Sequence, residues 1–279
     1  MPRSRRQDTM TRISAGDVQL DYETRGRGAP LLLLNGFRRN RAAWMEPFLA
    51  EMERHFLLVL LDNRGTGQSD KPPAGQYSIE QFADDAAGVL AALGIPRAHV
   101  FGVSMGGMIA QRLSIRHPER VRGLVIGCSH CGKSGLVPAT QEVRDLLRLT
   151  PKPGLTAREV ARRQEAIYVT DDFRAQHQDV LAEFYKRVNI HPTPPHAVQG
   201  HLQALEAFEG CAELEAIAHP TLVITGSEDR LFPPENSRRL AAGIPGAELV
   251  LLPRAAHFFW IETPEETARH LREFFARLD

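Results

Sequence analysis

Residues 17–24, D-V-Q-L-D-Y-E-T, alternate between polar and apolar positions, the period of a half-buried strand. Leu31 to Leu34 follow as an unbroken apolar run between Pro30 and Gly36, which predicts a short strand buried on both faces. Similar runs recur at 57–61, 99–101, 121–127, 221–225 and 248–252, each followed by turn residues. Between them the spacing has helical period at 42–55, 79–93, 106–117, 236–243 and 264–278. Buried strands alternating with helices predict an α/β fold, a mainly parallel sheet flanked by helices on both faces.

The alternation stops between 134 and 218. Only helix-like, charge-rich stretches occur there, at 141–149, 157–168, 173–188 and 196–208, broken by P-K-P-G and by H-P-T-P-P-H at 191–196. A segment of this length is too long for a loop and predicts a helical cap over one end of the sheet. The expected organisation is a core of 12–133 and 219–279, a cap or lid at 134–218, and a disordered tail at 1–11. The tail is basic but lacks the apolar stretch of an export signal.

Composition narrows the function classes. Thirty-four Lys and Arg balance 34 Asp and Glu, so no basic footprint for a nucleic acid backbone exists. A hydrophobic fraction of 43% with 24% charged residues is that of a well-cored globular protein. The longest apolar runs are too short to span a bilayer. Three cysteines, Cys128, Cys131 and Cys211, are an odd number in a long chain, which argues against a disulfide framework and for a reducing compartment, with cytoplasm as the default.

Chemistry enters at Gly102-Val103-Ser104-Met105-Gly106, which fits G-x-S-x-G with a strand before it and a helix after it. A serine on so tight a turn takes a strained backbone, and only small residues two before and two after leave room for it. The helix N-terminus brings the Met105 N–H beside the hydroxyl. A plainer reading is a helix N-cap with two turn glycines.

With these residues the chain resembles the α/β-hydrolase fold family, in particular its cap-bearing serine esterases and lactonases, from about Arg12 to Asp279. The resemblance implies an eight-stranded type of sheet and a catalytic triad in the order serine, acid, histidine. After the last plausible acid only His257 and His270 remain, and His270 sits within an amphipathic helix, so His257 is the expected base. By resemblance, the stretch T-G-S-E-D-R places the acid at the G-x-x-D position, Asp229, with Glu228 as the fallback. Phe37, by resemblance, donates a second oxyanion-hole N–H beside that of Met105, with Gly36 permitting the turn. Most relatives have His-Gly where this chain has Asn35-Gly36.

Weaker features take structural or pocket readings. The turn Asp62-Asn63-Arg64-Gly65-Thr66-Gly67-Gln68-Ser69-Asp70 resembles one common in the family, with Arg64 either a loop brace or a pocket edge. Cys128-Ser129-His130-Cys131 has C-x-x-C spacing, and a single such pair is weak evidence for zinc; packing under the cap is the alternative. Cys128, His130, Trp44 and Phe258 are pocket candidates.

The expectation is an enzyme that cleaves a small to medium apolar ester or lactone through an acyl-enzyme on Ser104, without metal or organic cofactor. The same residues would serve C–C bond hydrolysis or perhydrolysis, or a hydrolase-like receptor that only binds its ligand.

Overall fold

The computed structural model describes residues 12–149 and 152–278, so the predicted tail at 1–11 lies outside the described residues. Eight strands form one sheet: β1 Arg12–Ala15, β2 Val18–Gly26, β3 Ala29–Leu34, β4 Phe56–Leu61, β5 Ala98–Val103, β6 Val121–Gly127, β7 Thr221–Gly226 and β8 Glu248–Leu252. Their order is β1-β2-β4-β3-β5-β6-β7-β8. β2 runs antiparallel to β1 and β4, and the pairings from β4 through β8 are parallel.

The helices are α1 Glu46–Met52, α2 Ile79–Ala92, α3 Met105–Arg116, α4 Gln141–Leu147, α5 Ala157–Tyr168, α6 Asp171–Gln176, α7 Gln178–Val188, α8 Pro195–Ala207, α9 Pro234–Gly243, α10 Phe259–Glu262 and α11 Pro264–Phe275. The unbroken apolar run of β3 has a direct cause. Leu32 and Leu34 enter the core shared with α2, α3 and α9, whereas Leu31 and Leu33 enter the opposite core shared with α1, α10 and α11. Both faces are covered, so neither can be polar.

Several elements depart from the periodicity. β1 was not predicted, because of its four residues only Ala15 is buried. α1 is shorter than 42–55: residues 41–43 form a separate 3₁₀ turn capped by Asn40, and Pro47 stands in the first turn of α1. The stretch 173–188 divides at His177, whose backbone leaves the helical region. The four-residue α10 is too short to show a period.

All five helices between β6 and β7 fall inside 134–218. The two ends of that segment meet. Gly132 bridges Glu209, the Gly210 N–H donates to the Cys131 carbonyl at 2.7 Å, and Cys131 is disulfide-bonded to Cys211. This corrects the reading of the cysteines: two are paired and only Cys128 is free, so their number no longer argues for a reducing compartment. The pairing also takes Cys131 out of any thiolate C-x-x-C site. Parity was a poor guide because the partners lie 80 residues apart and meet only once the sheet is built.

A crosslink across so long a loop removes entropy from the unfolded chain. The double variant Cys131→Ala/Cys211→Ala is therefore expected to lose about 2–4 kcal/mol in urea unfolding. An unchanged urea midpoint would show that the bridge restrains nothing. No helix among the described residues is long and apolar enough to cross a membrane.

Candidate active site

β5 passes into α3 through one residue, Ser104. Its backbone lies at φ 57° and ψ −121°, a conformation that costs a non-glycine residue about 1–3 kcal/mol. The hydroxyl makes no capping hydrogen bond, so a plain N-cap does not describe it. The flanking glycines are required by space: a Cβ on Gly102 would collide with the Gly106 carbonyl, and one on Gly106 with the carbonyl of Leu34. Gly36 faces the serine from the β3 loop, where a Cβ would come 3.0 Å from Ser104 Cβ.

Among the described residues, neither the Phe37 nor the Met105 N–H donates to a backbone acceptor. Met105 opens α3, where the first N–H groups have no intrahelical partner. Asn35 ties the loop with its own amide, donating from Nδ2 to the Asn40 carbonyl at 3.1 Å, and its carbonyl accepts from Asn63 at 3.2 Å.

The loops after β7 and β8 are zipped together. Ser227 N–H donates to Leu252 at 2.8 Å, Glu228 N–H donates to Ala255 at 2.9 Å, and Gly226 abuts the Ala255 carbonyl. That registration sets His257 against Asp229, with Nδ1 2.8 Å from Oδ2. The other carboxylate oxygen accepts the N–H groups of Leu231 and Phe232, each at 2.9 Å. Asp229 is 3% exposed, whereas the fallback Glu228 faces solvent. His270 lies elsewhere, on α11 beside Glu266 and Arg269.

Burial disfavours a charged His257, yet the Asp229 carboxylate, with the Cys128 sulfur in hydrogen-bonding reach, outweighs it and raises the imidazole well above 6.5. Burial pushes the Cys128 thiol up in turn, which keeps it neutral. Cys128, Asp229 and His257 bring their ligand-type atoms within 4.8 Å of one another. The closest contact in that group is the carboxylate–imidazole hydrogen bond, which already uses Nδ1 and one carboxylate oxygen.

The remaining candidates divide. Phe258 stands beside His257, 5.9 Å between centroids, and stacks on Tyr168 at 4.8 Å. His130 packs edge-on against Phe232, which itself contacts His257. Burial pushes His130 down to about 4, and its Nδ1 accepts the Gly132 N–H, so it is a neutral structural imidazole. Trp44 is not at a pocket wall. It is fully buried against Phe48, Phe101 and Trp260, because the segment before α1 turns its apolar face to the sheet. Arg64 is likewise no pocket edge: it is 0% exposed and holds Asp85 through two bonds of 2.6 and 2.7 Å.

Three residues near the site escaped the sequence reading. Glu262 accepts the Ala256 N–H at 2.6 Å and both the N–H and hydroxyl of Thr170, bracing the histidine loop against the end of α5. The Tyr168 carbonyl accepts the Phe258 N–H at 2.8 Å. Arg39 sits in the loop after Gly36, where the basic run Arg38-Arg39-Asn40-Arg41 was the available signal.

Known proteins agree with this architecture. The model of the alpha/beta hydrolase fold matches residues 29–264, and the chain belongs to that family. It is an enzyme of the hydrolase class within it. It is 32% identical to a protein of Azorhizobium caulinodans that carries the provisional name carbamate hydrolase RutD, over 95% of this chain and 97% of that one. It is also 32% identical to the 2-hydroxymuconate semialdehyde hydrolase of Pseudomonas sp. CF600, over 96% and 94%. Among solved structures, Est816, described as an N-acyl homoserine lactone degrading enzyme, superposes with a TM-score of 0.78 at 30% identity, over 95% and 100%.

Proposed function

We propose that the protein is a serine hydrolase that cleaves a carboxylic ester or lactone through an acyl-enzyme on Ser104. The observation that carries this reading is the pairing of a strained, uncapped Ser104 at the β5–α3 turn with a buried Asp229–His257 hydrogen bond at the same end of the sheet. His257 takes the hydroxyl proton as Ser104 attacks the carbonyl, then returns it to the leaving group. Asp229 holds the imidazole orientation and stabilises the imidazolium. The N–H groups of Phe37 and Met105 donate hydrogen bonds to the developing oxyanion, and water then releases the acyl group. Helices α4–α8 act as the cap that shapes the pocket.

C–C bond hydrolysis by the same residues is the second reading, favoured by the likeness to a 2-hydroxymuconate semialdehyde hydrolase.

A pH profile across p-nitrophenyl esters, lactones and a C–C substrate tests both readings. The base must be neutral to accept a proton, and His257 is raised, so kcat/KM should rise with pH through a midpoint above 6.5. A flat profile between pH 5 and 8 removes His257 as the base. Turnover of none of the substrates removes the hydrolytic reading of the serine.

A further inference from the structure

Several buried and half-buried guanidinium groups among the described residues have carboxylate partners. Arg25 holds Glu46 and Glu53, Arg41 holds Asp62, Arg64 holds Asp85, and Arg112 holds Glu213. Arg39 has no carboxylate within ion-pair distance and no side-chain hydrogen bond among the described residues. Its guanidinium carbon instead lies over three rings, 5.3 Å from Phe184, 5.9 Å from Tyr185 and 5.7 Å from Phe258.

Those rings locate the charge. Phe184 and Tyr185 belong to α7, whereas Phe258 follows His257 directly and packs on Phe184 at 5.3 Å. Arg39 itself closes the turn that begins at Gly36, its N–H donating to the Gly36 carbonyl at 3.2 Å. The guanidinium therefore stands among the loop after β3, the loop that carries His257 and helix α7, and its own turn begins at Gly36, which faces Ser104.

No neighbour neutralises it. Burial raises the Tyr185 phenol, which stays neutral, and partial burial among these rings lowers the half-buried Arg39 itself. Glu165 is buried on α5 near Tyr185, but the charges it faces are Arg162 and Arg174. The adjacent Arg38 adds a second positive charge and likewise has no ion-pair partner among the described residues. Three aromatic faces give part of the compensation a half-buried cation needs, and a carboxylate supplies the rest through paired N–H donors.

We propose that Arg39 is a specificity-determining residue that binds a carboxylate carried by the substrate, at the end remote from the scissile carbonyl. This rests on the hydrolase reading above and replaces the expectation of a wholly apolar substrate. Phe184, Tyr185 and Phe258 hold the guanidinium in place and cover the chain between the carboxylate and the reacting carbon.

The test compares mono-p-nitrophenyl glutarate with its methyl ester, which has the same length but a masked carboxylate. The wild-type protein should favour the free acid by about tenfold or more in kcat/KM, the scale of a charge-assisted hydrogen bond. In Arg39→Met that preference should fall to about one, and Arg39→Lys should restore part of it, since the charge returns without the fork. A second arm needs no turnover: calorimetry of monomethyl glutarate binding to Ser104→Ala, with and without Arg39→Met, should show about tenfold weaker binding when the guanidinium is gone. No acid preference in the wild type, equal losses on both esters, or binding indifferent to Arg39 would each overturn the proposal. If neither ester turns over yet binding still depends on Arg39, the carboxylate site stands and the hydrolytic reading falls.

Discussion

Ser104→Ala is expected to lower kcat on any substrate the protein turns over by on the order of 10⁴–10⁶-fold, the range reported when a nucleophile that acts as a unit with its base is removed. KM should change little, because the hydroxyl contributes to the transition state far more than to ground-state binding. Stability should stay close to that of the wild type. The Ser104 side chain caps no helix, and the backbone strain at φ 57° remains in alanine. Steady-state kinetics with urea unfolding of the same preparation checks both halves. Retention of more than about one per cent of kcat, with the fold intact, would contradict a nucleophilic serine.

The second large effect concerns stability. Arg64 donates to Asp85 through Nε and a terminal nitrogen, to the Gln76 carbonyl at 3.0 Å and to Asp17 at 3.0 Å. It is fully buried, and Asp85 is 3% exposed. Arg64→Ala leaves that carboxylate uncompensated and opens a void the size of the side chain, so a loss of about 3–5 kcal/mol is expected in urea unfolding. Arg64→Ala/Asp85→Ala should recover part of that loss, because the stranded charge goes with its partner. If the double variant is as unstable as the single one, the cost lies in packing and not in the unpaired charge. The pair braces the turn after β4 against α2, a structural use of a motif that could also have marked a pocket edge.

The parts of the molecule that were legible in the chain share a physical basis. Strands β3 to β7 could be read because burial on both faces leaves mostly apolar side chains, and β8, of which only Leu252 is buried, from its short apolar run. Ser104 and its two glycines were legible because close backbone approach excludes larger residues at fixed offsets. Asp229 was preferred to Glu228 from its G-x-x-D position, and the zipped β7 and β8 loops turn Asp229 inward while Glu228 faces solvent. Trp44 was ambiguous because an aromatic ring serves a core and a pocket wall equally well. The disulfide was invisible, since a crosslink 80 residues long carries no local pattern. Arg39 was passed over because an arginine in a loop reads as solvated until its surroundings show three rings and no carboxylate.

The closed neck of the helical segment has a consequence for how such a protein can change. After β6 and before β7 the segment is pinched at Cys131 and Cys211, with their Cα atoms 4.6 Å apart. Its two ends are thus neighbours. On the proposed reading of these helices as a cap, they are in effect a graft: exchanging them for another set with adjacent ends would alter which molecules reach Ser104 while the strand order and the registration of the β7 and β8 loops stay as they are. Specificity can then diverge by replacement of one module, with the chemical groups inherited unchanged.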